Sequence, residues 1–169
     1  MSEEQNETAA GAQAEAATPR FQLQKIYVKD ASFEVPGAPG IFQSEGAAEI
    51  KLNLAQRVNK VQDDLFEVVL TVTVTATSGE KTAYLAEVHQ CGLFTVSGLA
   101  EAQLQAALNT LCPHSLFPYA ASAITGLVAN GGFPPLVLQP INFDQVYQQR
   151  LREAQAKSGA SDMEVQGNA

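Results

Sequence analysis

The residues best suited to chemistry are the two cysteines and two histidines, which occur as two closely spaced pairs. His89 precedes Cys91 by two positions, and Cys112 precedes His114 by two positions. Thiolate and imidazole groups are common zinc ligands, so the pairs could in principle supply a two-Cys, two-His site. A spacing of one intervening residue is unusual for structural zinc, and the second pair is distant in the chain. We therefore expect no metal.

The sequence also contains no motif typical of an enzyme. It has no phosphate-binding glycine loop, nucleophile elbow or paired carboxylates, and Asp63-Asp64 is most simply the solvated start of a strand. Neither cysteine has a nearby Lys or Arg in the sequence to activate its thiol. We expect no catalytic activity and no cofactor. An enzyme that uses Cys91 or Cys112 is kept as a third alternative.

Composition limits the partner and the compartment. The net charge is −8 and the pI is near 4.7, and no Lys or Arg occurs between Lys81 and Arg150. Nucleic-acid binding needs clustered basic residues, so a basic partner is expected instead. The N-terminal residues are acidic where a signal peptide would be basic and then apolar. With few cysteines, this indicates a cytoplasmic protein.

The chain reads as one folded domain between two polar tails. Residues 1–19 lack large apolar side chains beyond Met1, so they are expected to form a disordered acidic tail. Residues 158–169 are expected to form a flexible C-terminal tail. Residues 20–157 are long enough to enclose a core of their own.

Alternating apolar residues predict an antiparallel sheet. The alternation over residues 21–35 slips in phase twice, which predicts a strand with bulges or a bend. Residues 49–54 predict a second strand, and residues 66–76, apolar at even positions and rich in threonine at odd ones, predict a third. A turn at residues 78–80 predicts a hairpin into a fourth strand through His89. The expected sheet has four strands and one bare polar face.

Helices are expected after the sheet, which makes the fold α+β with the helices packed on one face. Residues 101–111 predict a short helix that ends at Pro113. Residues 116–129 predict a central helix with Ser115 as the N-cap, Pro118 in the first turn and Asn130-Gly131-Gly132 as the stop. Residues 145–157 predict a last helix capped by Asp144.

An uncharged segment from Ala102 to Phe143 requires protein cover on more than one side. Prolines interrupt it, so it is not a membrane span. The central helix within it is apolar or small almost all round, which favours a helix clamped inside an oligomer. The alternative is the central helix of a monomeric core. The expected interface residues are Leu116, Phe117, Ala120, Ala123, Ile124 and Leu127.

Two surfaces are candidates for binding. Asp30 and Glu34 share one face of the first strand, and Leu85 and Glu87 share one face of the last, so they could form an acidic patch on the bare face. An ordinary solvated sheet face is the alternative. Apolar residues in irregular segments could line a groove for an extended chain, or they could simply cover the core. They are Ile41, Phe42, Phe133, Leu136, Val137 and Tyr147.

Several ordered segments resemble the SecB family of bacterial protein-export chaperones, and the resemblance covers nearly all of the ordered chain. They are residues 21–27 (FQLQKIY), 30–36 (DASFEVP), 66–70 (FEVVL) with the threonines that follow, 112–113 (CP), 116–120 (LFPYA), 133–136 (FPPL) and 140–143 (PINF).

The resemblance implies a dimer of dimers in which the long helices lie between sheets. It implies a chaperone that holds unfolded precursors in the cytosol and delivers them to the export ATPase SecA, without a cofactor or ATP of its own. The acidic patch becomes the docking face for the basic, zinc-carrying C-terminal tail of SecA, and the last helix becomes a second contact. A SecB-like chaperone dedicated to an antitoxin or another single client is the alternative.

The sequence departs from the family pattern at two positions. Gly46 stands where relatives have a tryptophan, which affects the aromatic wall of the groove, and Cys91 stands where a Gly-Gly pair is usual. His89, Cys91 and His114 match no family residue, so the resemblance does not support a zinc site.

Overall fold

A computed structural model describes residues 18–44 and 46–165, with side chains as far as residue 158. Most of the tail predicted at residues 1–19, and the end of the C-terminal tail, lie outside the described residues. The elements are β1 (Arg20–Glu34), β2 (Glu49–Gln62), β3 (Leu65–Ser78), β4 (Lys81–Ser97), α1 (Glu101–Asn130) and α2 (Phe143–Val165), with a short 3-10 helix (Gly40–Gln43) after β1. The predicted α+β fold is confirmed.

The strands form one antiparallel sheet in the order β1-β4-β3-β2. The predicted hairpin between β3 and β4 is confirmed, and Gly79 in its turn has a φ of 61°, a conformation that favours glycine. Because β1 crosses over to pair with β4, β1 and β2 are the edges of the sheet.

The phase slips in the first strand are β-bulges. The register of β1 against β4 shifts between Leu23 and Lys25 and again between Val28 and Asp30. A bulge places one extra residue in a strand. The residues that share one face therefore switch from odd to even sequence numbers, or from even to odd, at each bulge. The prediction of bulges in this strand is therefore confirmed.

One face of the sheet and one side of α1 form the core. The even positions of β3 from Phe66 to Ala76 point into it, and their exposure is at most 8%. The threonines of β3 lie on the opposite face, which we call the outer face, and stay partly exposed. The buried even positions are Phe66, Val68, Leu70, Val72, Val74 and Ala76.

The prediction of two helices separated at Pro113 is wrong. α1 is one helix from Glu101 to Asn130 and contains Pro113 and Pro118. Ser115 is not an N-cap, because its hydroxyl donates to the carbonyl of Leu111 at 2.8 Å, one turn earlier in the same helix.

Burial explains why the helix continues through its prolines. An interior proline costs a helix ~3 kcal/mol, whereas each fully buried large apolar side chain contributes ~1.5–3 kcal/mol. A row with helical spacing along α1 is fully buried against the sheet, so its burial outweighs the cost of the prolines. The row comprises Leu108, Cys112, Leu116, Ala120, Ile124 and Val128.

The stop at Asn130-Gly131-Gly132 is confirmed, and packing requires its glycine. A Cβ on Gly131 would lie 2.0 Å from Cε1 of Phe33, so the chain leaves the helix directly over an aromatic ring of β1. Gly132 follows with a φ of 87°. The end of α1 is therefore held at one end of the sheet.

Other element boundaries differ from the predictions. β2 continues to Gln62, β4 continues to Ser97, and α2 runs beyond residue 157 to Val165. The cap of α2 is Asn142, whose side-chain oxygen accepts from the Gln145 amide at 3.1 Å, and Asp144 lies within the first turn. In the described part of the chain, no helix is long and apolar enough to cross a membrane.

Candidate functional site

The cysteine and histidine pairs do not converge. His89 and Cys91 lie on the outer face of β4, whereas Cys112 lies in the core beneath α1, and His114 is exposed on that helix. Within residues 18–44 and 46–165, no three His, Cys, Asp or Glu side chains are grouped closely enough to hold a metal ion. The sheet itself separates the two pairs.

Burial keeps both thiols in their protonated form. Cys91 and Cys112 are completely buried. Desolvation raises the pKa of Cys112 to about 12, and desolvation is also the main cause of the raised pKa of Cys91. A thiol acts as a nucleophile in its thiolate form, so neither cysteine is suited to nucleophilic catalysis.

The four residues predicted to form an acidic patch lie on the outer face, on the neighbouring strands β1 and β4. Leu85 pairs directly with Glu34 across β4 and β1, and Glu87 follows Leu85 on the same face. Asp30 lies farther along β1 and pairs with His89. We call Asp30, Glu34, Leu85 and Glu87 the acidic patch. The register of the edge strand places Glu34 beside Leu85, Glu87 one same-face position farther along β4, and Asp30 two same-face positions from Glu34 along β1.

Glu87 is held in its ionised form by its neighbours. The Thr73 hydroxyl on β3 donates to Oε2 of Glu87 at 2.7 Å, and Nε2 of His89 lies 2.9 Å from Oε1. These contacts, the Thr73 hydrogen bond first, lower the pKa of Glu87 below its ordinary value. The sequence analysis missed His89 as a neighbour of the patch, although its spacing of two from Glu87 on a strand was a sufficient signal.

A second polar cluster on the outer face was also missed. Glu67 of β3 accepts hydrogen bonds from the Tyr27 hydroxyl, from Nζ of Lys29 at 2.9 Å and from Nδ2 of Asn59 at 2.8 Å. These contacts, Tyr27 first, lower the pKa of Glu67 to about 2. We call these residues the Glu67 network. It joins β1, β2 and β3, so only the strand order and register could reveal it.

An apolar groove lies at the end of the sheet where α1 stops. It encloses a cavity of about 470 Å³ between the loop after β1, the start of β2 and the segment after α1. Four of the six residues expected in a groove line it, namely Ile41, Phe42, Phe133 and Leu136. Val137 and Tyr147 are not among its lining residues. The sheet contributes others that the sequence analysis missed, namely Ile50, Ala83 and Tyr84.

An aromatic cluster forms one wall of the groove. The ring centroid of Phe133 lies 4.8 Å from that of Tyr84 and 5.1 Å from that of Phe42, and Phe33 stacks on Tyr84 at 5.6 Å. Gly46 also lines the groove and has a φ of 132°, which a tryptophan would rarely adopt. In this chain the rings of Phe42, Tyr84 and Phe133 supply the aromatic wall.

The residues predicted for an oligomer interface are largely buried within the single chain. Leu116, Ala120 and Ile124 are fully buried in the core beneath the sheet, and Phe117, 7% exposed, packs against Phe143 of α2. Ala123 and Leu127 are partly buried against the same core. The exposed apolar side of α1 instead carries Leu111 and Tyr119, which are 50% and 54% exposed.

Comparison with known proteins identifies the family. The family described as "Preprotein translocase subunit SecB" matches residues 14–154. The chain belongs to the SecB family. A protein-export protein SecB from Xanthomonas oryzae pv. oryzae is 48% identical over 97% of this chain and 96% of the relative. The SecB of Xanthomonas campestris pv. campestris is 47% identical over the full length of both chains, as is that of Stenotrophomonas maltophilia.

A solved structure supports the fold. A Mycobacterium tuberculosis SecB-like chaperone, solved with a peptide from the HigA1 antitoxin, matches with a TM-score of 0.60. It is 21% identical, and the match covers 72% of this chain and 91% of that one. The much higher identity to export proteins confirms the prediction of a SecB-family export chaperone over that of a chaperone dedicated to an antitoxin.

Proposed function

We propose that the protein acts in the cytoplasm, where it holds non-native precursor proteins in the apolar groove and passes them to the export ATPase SecA. The observation that carries the proposal is the groove itself. It combines an aromatic wall with a free sheet edge, since Ile50 lines it and belongs to the edge strand β2. Such a site suits an extended apolar segment better than a compact ligand.

Client binding follows from burial and backbone pairing. Ile50 and Leu52 on β2 are 39% and 37% exposed, and Phe42, which lines the groove with Ile50, is 52% exposed. Each large apolar side chain contributes ~1.5–3 kcal/mol when it becomes fully buried, and the unpaired backbone of β2 can bond to an added strand. Neither contribution depends on an exact sequence. A folded protein offers no such segment, because its apolar residues are already buried.

The acidic patch is the proposed docking site for SecA. Asp30, Glu34 and Glu87 share one sheet face with Leu85, and such a row of carboxylates suits the basic, zinc-carrying C-terminal tail of SecA. The carboxylates would speed and orient the encounter, and the leucine would add a small apolar contact at the centre. The predominantly exposed helix α2 and the C-terminal tail are proposed as a second SecA contact.

We propose that four chains assemble as a dimer of dimers through α1. From Ala102 onwards α1 carries no charged residue, and the side that faces away from its own sheet exposes Leu111 and Tyr119. A second chain packed there would give the helix the cover that its composition requires. Four chains would also present several grooves, so weak contacts along one long client would combine into tight binding.

No chemical step is needed for this function. We propose that the protein acts without a cofactor and without catalysis, because holding and releasing a chain requires only reversible burial of apolar surface. The buried, high-pKa thiols of Cys91 and Cys112 are consistent with this proposal.

Light scattering coupled to size-exclusion chromatography tests the proposal directly. The protein is run alone, with a reduced and unfolded precursor, and with the same precursor after folding. We expect a tetramer that captures only the unfolded chain, and that then releases it when SecA is added. A chain that stays monomeric and binds neither form would overturn both the assembly and the client-binding proposals.

A further inference from the structure

The second bulge of β1 places a cation beside the acidic patch. Val28 pairs with Gln90 and Asp30 pairs with His89, so Lys29 is the additional residue. Lys29 reaches the outer face, where its ammonium group bonds to Glu67, and the adjacent Asp30 lies on that same face. A lysine has a long, flexible stem, so Lys29 could also turn towards the Asp30 carboxylate.

The Glu67 network holds Lys29 away from the patch. Nζ of Lys29 lies 2.9 Å from Oε1 of Glu67 and 3.2 Å from Oε2. Tyr27 and Asn59 fix the orientation of the carboxylate from the neighbouring strands. The Glu67 side chain is only 13% exposed, so water screens this ion pair less than it would screen a surface pair.

The other charges nearby do not neutralise Asp30. His89 faces it from β4, but the imidazole contacts Glu87. Lys25 lies farther along β1, beyond Tyr27, and Arg57 lies on the opposite edge strand, where it pairs with Val69. Among the ion pairs of the described residues, none includes Asp30.

We propose that Glu67 is a positioning residue for SecA docking, because it holds Lys29 and thereby leaves the Asp30 carboxylate available to the basic tail of SecA. The inference rests on the docking function proposed above. Glu67 itself would not touch SecA. Its loss would release Lys29 to pair with Asp30, and the Asp30 carboxylate would then be less available to SecA.

Binding of SecA, and of its zinc-loaded C-terminal tail as a peptide, is measured at low and moderate salt for matched variants of the full chain. Glu67→Gln preserves the shape and removes the charge. We expect binding to weaken about two- to fivefold, because an added exposed ion pair competes with the tail. The double variant Glu67→Gln/Lys29→Gln should regain nearly wild-type binding, because the competing cation is gone.

The matched control separates positioning from net charge. Glu67→Gln/Lys25→Gln has the same net charge and alters a lysine of the same strand and face, but it leaves Lys29 free, so its binding should remain weak. Equal rescue by both double variants would show a simple charge effect and overturn the proposal. Full-strength binding by Glu67→Gln would also overturn it.

Two further measurements keep the outcomes distinct. If Glu67→Gln does not fold, Lys29→Gln and Lys25→Gln are compared with Glu67 intact. The proposal predicts that the two variants have SecA affinities within about twofold of each other. A much larger gain in affinity from Lys29→Gln would mean that Lys29 already competes for Asp30 in the wild type, which would overturn the proposal. If Glu87→Lys weakens SecA binding and Glu67→Gln does not, only the positioning role fails. If the wild type does not bind SecA, the docking proposal fails with it.

Discussion

Replacing Phe42 with alanine tests the groove at a side chain that a client should cover. Phe42 is 52% exposed, and its ring lies 5.1 Å from that of Phe133. Full burial of a phenylalanine contributes ~1.5–3 kcal/mol, so the exposed half offers a client about 0.8–1.6 kcal/mol. Because 1.4 kcal/mol is a tenfold change, we expect affinity to fall about 4- to 14-fold. The free energy of unfolding should fall by a similar amount, since the other half of the side chain is already buried.

The assay is the fluorescence anisotropy of a labelled, unfolded precursor segment, measured at a temperature where denaturant curves show every variant to be folded. Val137→Ala is the matched control, because Val137 is 74% exposed but does not line the groove. We expect Val137→Ala to bind within about twofold of the wild type. The reasoning is refuted if Phe42→Ala, while folded, binds the segment as tightly as the wild type does.

Three further outcomes follow from the structure. Glu87→Lys reverses a charge in the acidic patch, so SecA affinity should fall about tenfold at low salt while unfolded-chain binding stays near normal; unchanged SecA affinity would contradict the docking assignment. Gly131→Ala places a Cβ 2.0 Å from the Phe33 ring and should lower the free energy of unfolding by ~1–3 kcal/mol, whereas Gly126→Ala, with no atom within 4 Å, should not lower it. Glu67 has a folded-state pKa of about 2, below its ordinary value of 4.5, so its stabilisation is present above that ordinary value and is lost as the pH falls towards about 2. Denaturant unfolding at neutral pH and near pH 3 should show a smaller acid loss for Glu67→Gln, and an equal loss would contradict this account.

Sequence parity predicted which residues of the acidic patch share a face, but not what surrounds them. Residue parity on two strands placed Asp30 with Glu34 and Leu85 with Glu87, and pairing of β1 with β4 brings both pairs to one face. The Glu67 network could not be predicted in this way, because it depends on which strands are neighbours. The sequence also could not show which of the expected groove residues line the cavity. Val137 is apolar like Leu136, but only the folded path of the segment after α1 decides that Leu136 lines the cavity and Val137 does not.

Local sequence patterns determined the features that depend only on residues close together in the chain. The alternation in β3, the phase slips in β1, the turn at Gly79 and the glycine stop after α1 are all of this kind. Tertiary structure decided whether α1 continues through Pro113, because a local cost of ~3 kcal/mol was outweighed by burial against distant strands. It also decided that Leu116 and Ile124 serve the chain's own core. Apolar composition requires cover, but only the packed fold shows which surface supplies it.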